Sequence, residues 1–128
     1  MWWHPSRMGR SVLIVDDHDG FRTQARRFLA AAGYEVVGEA GDGSSGLRQA
    51  TLLVPELVLL DVQLPDMSGF EVARILHEQP GAPTVILISS RDRSDYGARV
   101  RDSGADGFIS KGELSAAALR EILQAGTR

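Results

Sequence analysis

The chain contains no cysteine. A disulfide scaffold, a thiol nucleophile and any zinc site built on thiolates are therefore excluded. Long apolar runs are missing as well: residues 57–60 and 85–88 are among the longest aliphatic stretches, at four residues each. A spanning helix needs roughly 20. The amino terminus lacks the apolar segment of a secretory signal, so the cytoplasm is the expected compartment and no membrane partner is expected. Nor is there a basic surplus. A net charge of −3 argues against direct nucleic-acid binding by this domain. Lysine is nearly absent: of 14 basic residues only Lys111 is lysine, and the other 13 are arginine. Against such a bias, a lone lysine marks a candidate position where a compact ammonium cannot be exchanged for a planar guanidinium.

What remains is an ordinary globular composition, 43% hydrophobic and 24% charged over 128 residues, enough for one hydrophobic core. Residues 1–9 show no periodicity and include Pro5 and Gly9; they read as a mobile leader before a domain of residues 10–127. From Arg10 onward, short aliphatic runs alternate with helical patterns. Val12-Leu13-Ile14-Val15 is a buried-strand candidate. Phe21, Ala25, Phe28, Leu29 and Ala32 then recur on one face of a helix that Gly33 stops. Residues 34–40 form a second strand, interrupted by Gly38 and nearer an edge. Asp42-Gly43 opens a second helix with Leu47, Ala50 and Leu53 on its apolar face, closed by Pro55. Leu57-Val58-Leu59-Leu60 is the third strand, ending at Asp61. Pro65 turns the chain, Ser68 can cap, and Phe70, Val72, Ala73, Ile75 and Leu76 line a third helix. Thr84-Val85-Ile86-Leu87-Ile88 is the fourth strand. A sparsely apolar fourth helix is expected over residues 95–103, stopped by Gly104. Gly107-Phe108-Ile109 is a short fifth strand. A last helix carries Leu114, Ala117, Ala118, Ile122 and Leu123 and ends at Gly126.

Strands alternating with helices imply an α/β fold, a parallel sheet covered on both faces in a three-layer α/β/α sandwich. In such sheets the ligand site lies at the carboxyl ends of the strands. Here strand one delivers Asp16 and Asp17, strand three Asp61, strand four Ser89 and strand five Lys111. Three carboxylates brought together repel unless a cation shares the site. Oxygen ligands suit Mg²⁺, and a lysine and a hydroxyl opposite it suit the oxygens of a phosphoryl group. The set therefore points to phosphoryl transfer onto a carboxylate. Each member alone has a plainer reading, since acidic residues and serines after strands often only form turns. Asp66 reads as a turn residue, Asp19 as a helix-start residue and Asp42 as a cap or turn.

Four segments in this order carry a resemblance. Val12-Leu13-Ile14-Val15-Asp16-Asp17 comes first, then the stretch from Leu59-Leu60-Asp61 through Gln63, Pro65 and Asp66 to Ser68-Gly69. Ile88-Ser89-Ser90 follows, and the last is Gly104-Ala105-Asp106-Gly107-Phe108-Ile109-Ser110-Lys111. Over about residues 9–125 the chain resembles the receiver domain of bacterial two-component response regulators. The resemblance implies a CheY-like (flavodoxin-like) sheet of strand order 2-1-3-4-5. It implies that Asp61 accepts a phosphoryl group from a phosphohistidine of a sensor histidine kinase. Asp17, Asp61 and the backbone carbonyl of Gln63 would bind Mg²⁺, with Asp16 acting mainly through water. Lys111 would pair with the phosphoryl oxygens, Ser89 would swing towards them, and Phe108 would be the coupled aromatic that turns inward. The face of the fourth helix, fifth strand and fifth helix would carry the output to a downstream protein or an output domain. Such a protein is no enzyme in the ordinary sense, catalysing only its own phosphorylation and dephosphorylation. Two departures stand out: Gly112 follows the lysine where many members have proline, and Phe108 lacks the hydroxyl of the tyrosine often found there.

Rival functions differ in the residues they need. A haloacid-dehalogenase phosphatase needs a second Asp two residues after its nucleophile, and Gln63 occupies that place. A flavodoxin-like FMN binder needs a phosphate-accepting loop after strand one, and Asp16-Asp17-His18-Asp19 would repel phosphate. A receiver-like interaction module that signals without phosphorylation is the main alternative. A receiver fragment of a NarL/LuxR-type transcription factor is another.

Overall fold

The computed structural model describes residues 10–125. The proposed leader and the helix stop at Gly126 lie outside the described residues. Five strands alternate with five helices: β1 Ser11–Val15, α1 Asp19–Ala31, β2 Glu35–Ala40, α2 Gly43–Leu53, β3 Leu57–Asp61, α3 Gly69–His77, β4 Thr84–Ser89, α4 Arg99–Asp102, β5 Gly107–Ser110 and α5 Ala116–Ala125. All strands are parallel, in the order β2-β1-β3-β4-β5.

Alternation along each strand divides the core in two, because successive side chains point to opposite faces. Val12 and Ile14 of β1, Leu57 and Leu59 of β3, and Ile86 and Ile88 of β4 meet Ala25 and Leu29 of α1 and Leu119 and Leu123 of α5. Leu13, Val15, Val58, Leu60, Val85 and Leu87 face the other way, onto Ala50 of α2, Phe70, Val72, Ala73 and Leu76 of α3, and Val100 of α4. The central strands are buried on both sides, which is why they read as unbroken aliphatic runs.

The helix starts follow local hydrogen bonding. Asp42 caps α2 by accepting from the Ser45 N–H at 2.7 Å. Ser68 and Glu71 form a reciprocal capping box at α3. Strand β2 is at the edge, and its pairing with β1 slips between Val12 and Leu13, opposite Val36 and Gly38.

Four expectations are corrected. The helix expected over residues 95–103 is two pieces, a 3-10 turn at Arg93–Asp95 and the single-turn α4. Gly97, with φ +58°, takes a left-handed conformation that an α-helix cannot continue through. Leu114 precedes α5 rather than belonging to it. Residues Lys111–Glu113 form a 3-10 turn, Leu114 is extended, and the Ser115 hydroxyl accepts from Ala118 N–H at 3.0 Å, starting the helix later. Leu53 and Ile75 are 41% and 39% exposed, at the margin of their apolar faces rather than in the core. Ala32 lies beyond α1 as its exposed C-cap.

Candidate functional site

Register brings the acidic residues together. Val15 of β1 pairs with Leu60 of β3, so the next residues, Asp16 and Asp61, emerge side by side at the carboxyl edge. Asp61 is paired with Ile88, and Ser89 with Ser110, whose successor is Lys111. Four separate strands thus bring two carboxylates, a hydroxyl and an ammonium to one edge.

The Lys111 ammonium lies 2.7 Å from Asp16 Oδ2 and 3.5 Å from Asp61 Oδ2. It is seated over the ring of Phe21 in α1, 4.4 Å from the centroid, a cation–π contact that holds the charge at the site. Asp16 is fully buried. Its Oδ1 accepts from the His18 N–H at 2.8 Å and lies 3.1 Å from His18 Nδ1. His18 Nδ1 is also 3.1 Å from Asp17 Oδ1; both His18 and Asp17 are exposed. Gln63, exposed beside the site, donates its backbone N–H to Asp61 Oδ1 at 3.4 Å.

Asp61 is 4% exposed. Burial, followed by repulsion from Asp16, pushes its carboxyl up to about 6, although Lys111 and the Gln63 N–H pull it down. One ammonium does not balance three carboxylates. Ligand atoms of Asp16, Asp17, His18 and Asp61 lie within 4.8 Å of one another. The buried Asp16 Oδ2 has no partner among the described residues beyond the ammonium. Uncompensated charge and clustered carboxylate oxygens fit a hard divalent cation such as Mg²⁺.

Ser89 is buried, accepts the Arg91 N–H at 3.0 Å, and lies with its Oγ 2.7 Å from the Tyr96 hydroxyl. Phe108 is half-buried, its ring centroid 5.8 Å from that of Tyr96. Gly69 makes the approach of α3 possible: a Cβ there would stand 2.2 Å from the Asp61 carbonyl oxygen.

The sequence reading missed several neighbours. His18 was visible only as part of an acidic cluster, and Phe21 only as a core-facing position. Tyr96 had one signal, being the sole aromatic between Ser89 and Phe108. Asp66 does more than turn the chain: its carboxylate accepts from Gly43 N–H at 2.7 Å and Ser44 N–H at 2.9 Å, tying the loop after β3 to the start of α2. Those donors hold its carboxyl below the usual range.

Residues 12–124 match the family model described as the response regulator receiver domain. The chain belongs to this family. Among curated relatives, it is 39% identical over 116 residues to the response regulator GacA of Pseudomonas aeruginosa, covering 89% of this chain and 52% of that one. It is 35% identical over 118 residues to the virulence-factor transcription regulator BvgA of Bordetella pertussis, covering 92% and 54%. This receiver domain therefore spans about half the length of the curated relatives it matches. The signal receiver domain of NarL from Mycobacterium tuberculosis superposes with a TM-score of 0.80 at 32% identity, covering 90% of this chain and 97% of that one. A LuxR-family response regulator from Aurantimonas gives a TM-score of 0.80 at 28% identity, with 91% and 84% covered. The strand order of this receiver domain is the CheY-like one that the resemblance implied. Among the described residues, no helix is long and apolar enough to cross a membrane.

Proposed function

We propose that this receiver domain is the phosphoacceptor of a two-component system and that Asp61 takes a phosphoryl group from a phosphohistidine of a sensor histidine kinase. The observation that carries the reading is the Lys111 ammonium between Asp16 and Asp61, at 2.7 and 3.5 Å, in a cluster with more carboxylates than cations. An Asp61 oxygen forms the new P–O bond as the P–N bond breaks, and the departing imidazole keeps the electron pair and takes up a proton. Asp61 must be ionised to attack. With its carboxyl at about 6, most of it is ionised at neutral pH.

Asp17, Asp61 and the backbone carbonyl of Gln63 would hold Mg²⁺, with Asp16 contributing through water; when bound, the ion supplies charge neutralisation for the phosphoryl oxygens. Lys111 turns its ammonium from the carboxylates to those oxygens, and Ser89 donates to another. The added charge favours one arrangement of the loop after β4, with Phe108 following inward, and so biases the face of α4, β5 and α5. The chain acts only on itself and turns over no separate substrate. Its partners are the kinase and, in the cytoplasm, a downstream protein or an output domain of the kind found in NarL/LuxR-type regulators; the half-length match to transcription regulators supports the latter.

Incubation with acetyl phosphate and Mg²⁺ tests the reading by intact mass. The parent should gain one phosphoryl group and Asp61→Asn none. An unchanged parent, with no binding of beryllofluoride and Mg²⁺, would replace the proposal with the interaction-module reading.

A further inference from the structure

The Ser89 hydroxyl has one proton to give and two lone pairs. One lone pair takes the Arg91 N–H at 3.0 Å, and the Tyr96 hydroxyl sits 2.7 Å away on another side. Tyr96 comes from the segment between the 3-10 turn at Arg93–Asp95 and α4. Its ring is wedged between two neighbours: Phe70 of α3, edge-on at 5.3 Å, and Phe108 of β5 at 5.8 Å. Arg99 of α4 covers the Phe70 ring at 4.6 Å. The hydroxyl that Phe108 lacks is thus supplied beside it by Tyr96, which touches the hydroxyl residue of β4, the aromatic of β5 and the first turn of α3.

We infer that Tyr96 is a positioning residue for Ser89: its hydroxyl holds the Ser89 side chain in the resting arrangement and ties that arrangement to the segment leading into α4. The inference rests on the phosphoacceptor reading for its consequence, since what draws the Ser89 hydroxyl away from Tyr96 is an oxygen of a phosphoryl group on Asp61. Whichever of the two hydroxyls donates, their 2.7 Å contact is lost when Ser89 turns to that oxygen. Redirecting Ser89 therefore breaks the tie, and the freed ring carries the change into a segment already broken at Gly97, where φ is +58°. An open groove of about 360 Å³, lined by Tyr96, Arg99, Val62, Gln63 and Met67, adjoins the ring on the side of the phosphoacceptor loop. It gives the released ring room to move without unpacking the core.

Tyr96→Phe keeps the ring and removes only the hydroxyl. Beryllofluoride with Mg²⁺, titrated into parent and variant and followed by backbone NMR, reads the cost of redirecting Ser89. The variant should bind about fivefold tighter, the weight of one neutral hydrogen bond. In a Ser89→Ala background, Tyr96→Phe should change the affinity less than twofold. Unchanged or weaker binding by Tyr96→Phe alone, or the same gain with and without Ser89, overturns the inference. If the parent binds no beryllofluoride, the phosphoacceptor reading fails by itself, and the tie is read from amide exchange in the absence of ligand. Tyr96→Phe should then speed exchange of the Arg91 amide several-fold in the parent background and leave it unchanged in Ser89→Ala. Equal exchange in all four proteins overturns the tie.

Discussion

Replacing Asp61 by Asn should make the ion-free protein more stable at neutral pH, although it removes the residue on which the proposed chemistry depends. The Asp61 carboxyl titrates near 6 in the folded chain against an ordinary 3.8. The folded state therefore binds that proton more tightly than the unfolded state does, and stability falls as pH rises from about 3.8 to about 6. The displacement of about 2 units corresponds to about 3 kcal/mol once pH is above both values. Asn has the shape of the protonated carboxyl and never ionises, so it escapes this cost while its Oδ1 can still accept the Gln63 N–H. Lys111 keeps Asp16 at 2.7 Å as its partner, so the ammonium is not stranded. The expected gain is 2–3 kcal/mol, roughly 8–12 °C in Tm for a domain of this size.

Urea and thermal unfolding with a chelator present, near neutral pH and near pH 4, measure this directly. The gain should be full near neutrality and should shrink towards zero as the parent's own carboxyl becomes protonated. Excess Mg²⁺ should then close the gap by stabilising the parent, by about 2.7 kcal/mol at a hundredfold excess over Kd, and the variant less. An Asn variant no more stable than the parent at neutral pH, or equally advantaged near pH 4, refutes the reasoning from buried charge.

Lys111→Arg should keep the fold yet lose at least tenfold in acetyl-phosphate labelling, because the planar guanidinium cannot take the ammonium's place between Asp16 and the Phe21 ring; labelling within twofold of the parent counts against this. Gly69→Ala should cost about 3 kcal/mol or more in urea unfolding, since its Cβ would stand 2.2 Å from the Asp61 carbonyl oxygen and 2.8 Å from Val62 Cα. Asp66→Asn should destabilise the protein near neutrality. Because the folded carboxyl of Asp66 lies below its ordinary 3.8, its contribution is present above that value and is lost as pH falls through the folded one, so the melting curves of variant and parent should converge in acid. Amide exchange should be faster in α4, where only Val100 is buried, than in the 13-residue α1.

The core was legible because its signal is redundant. Each central strand is an aliphatic run buried on both faces, bounded by glycine, proline or a polar residue, and several cues agree on where it stops. The meeting of Asp16, Asp61 and Lys111, with Ser89 at the same sheet edge, followed from the same logic, since parallel strands put all their carboxyl ends on one edge. What the sequence hid were relationships set by side-chain reach across elements. Nothing local says that the Asp66 carboxylate spans to the first amides of α2, or that the Tyr96 hydroxyl meets Ser89. The fourth helix was misjudged for another reason. Gly97 is tolerable inside a helix at a cost of about 1 kcal/mol, and only the sparse burial of the surrounding residues lets it break the element.

These two outcomes have a common cause. The middle of the sheet is packed tightly enough to hold the buried carboxylates of Asp16 and Asp61 against one ammonium, with the exposed Asp17 beside them, and the repulsion between the two is retained. The segment after β4 is the opposite case. Its anchors include buried Val100 and Ser103, a tyrosine ring between two phenylalanines, the Ser89–Tyr96 hydroxyl contact, and the Ser110 hydroxyl beside the Arg91 carbonyl oxygen and the Asp92 carboxylate. A change in charge at Asp61 should therefore have little effect on the rigid strands beneath it and a large effect on the loosely held segment beside it. This asymmetry makes a test possible without knowing any partner. Binding of beryllofluoride and Mg²⁺ should alter amide exchange within residues 90–104 far more than within β1 or β3, and an even spread of changes across the sheet would show that the charge is transmitted through the core instead.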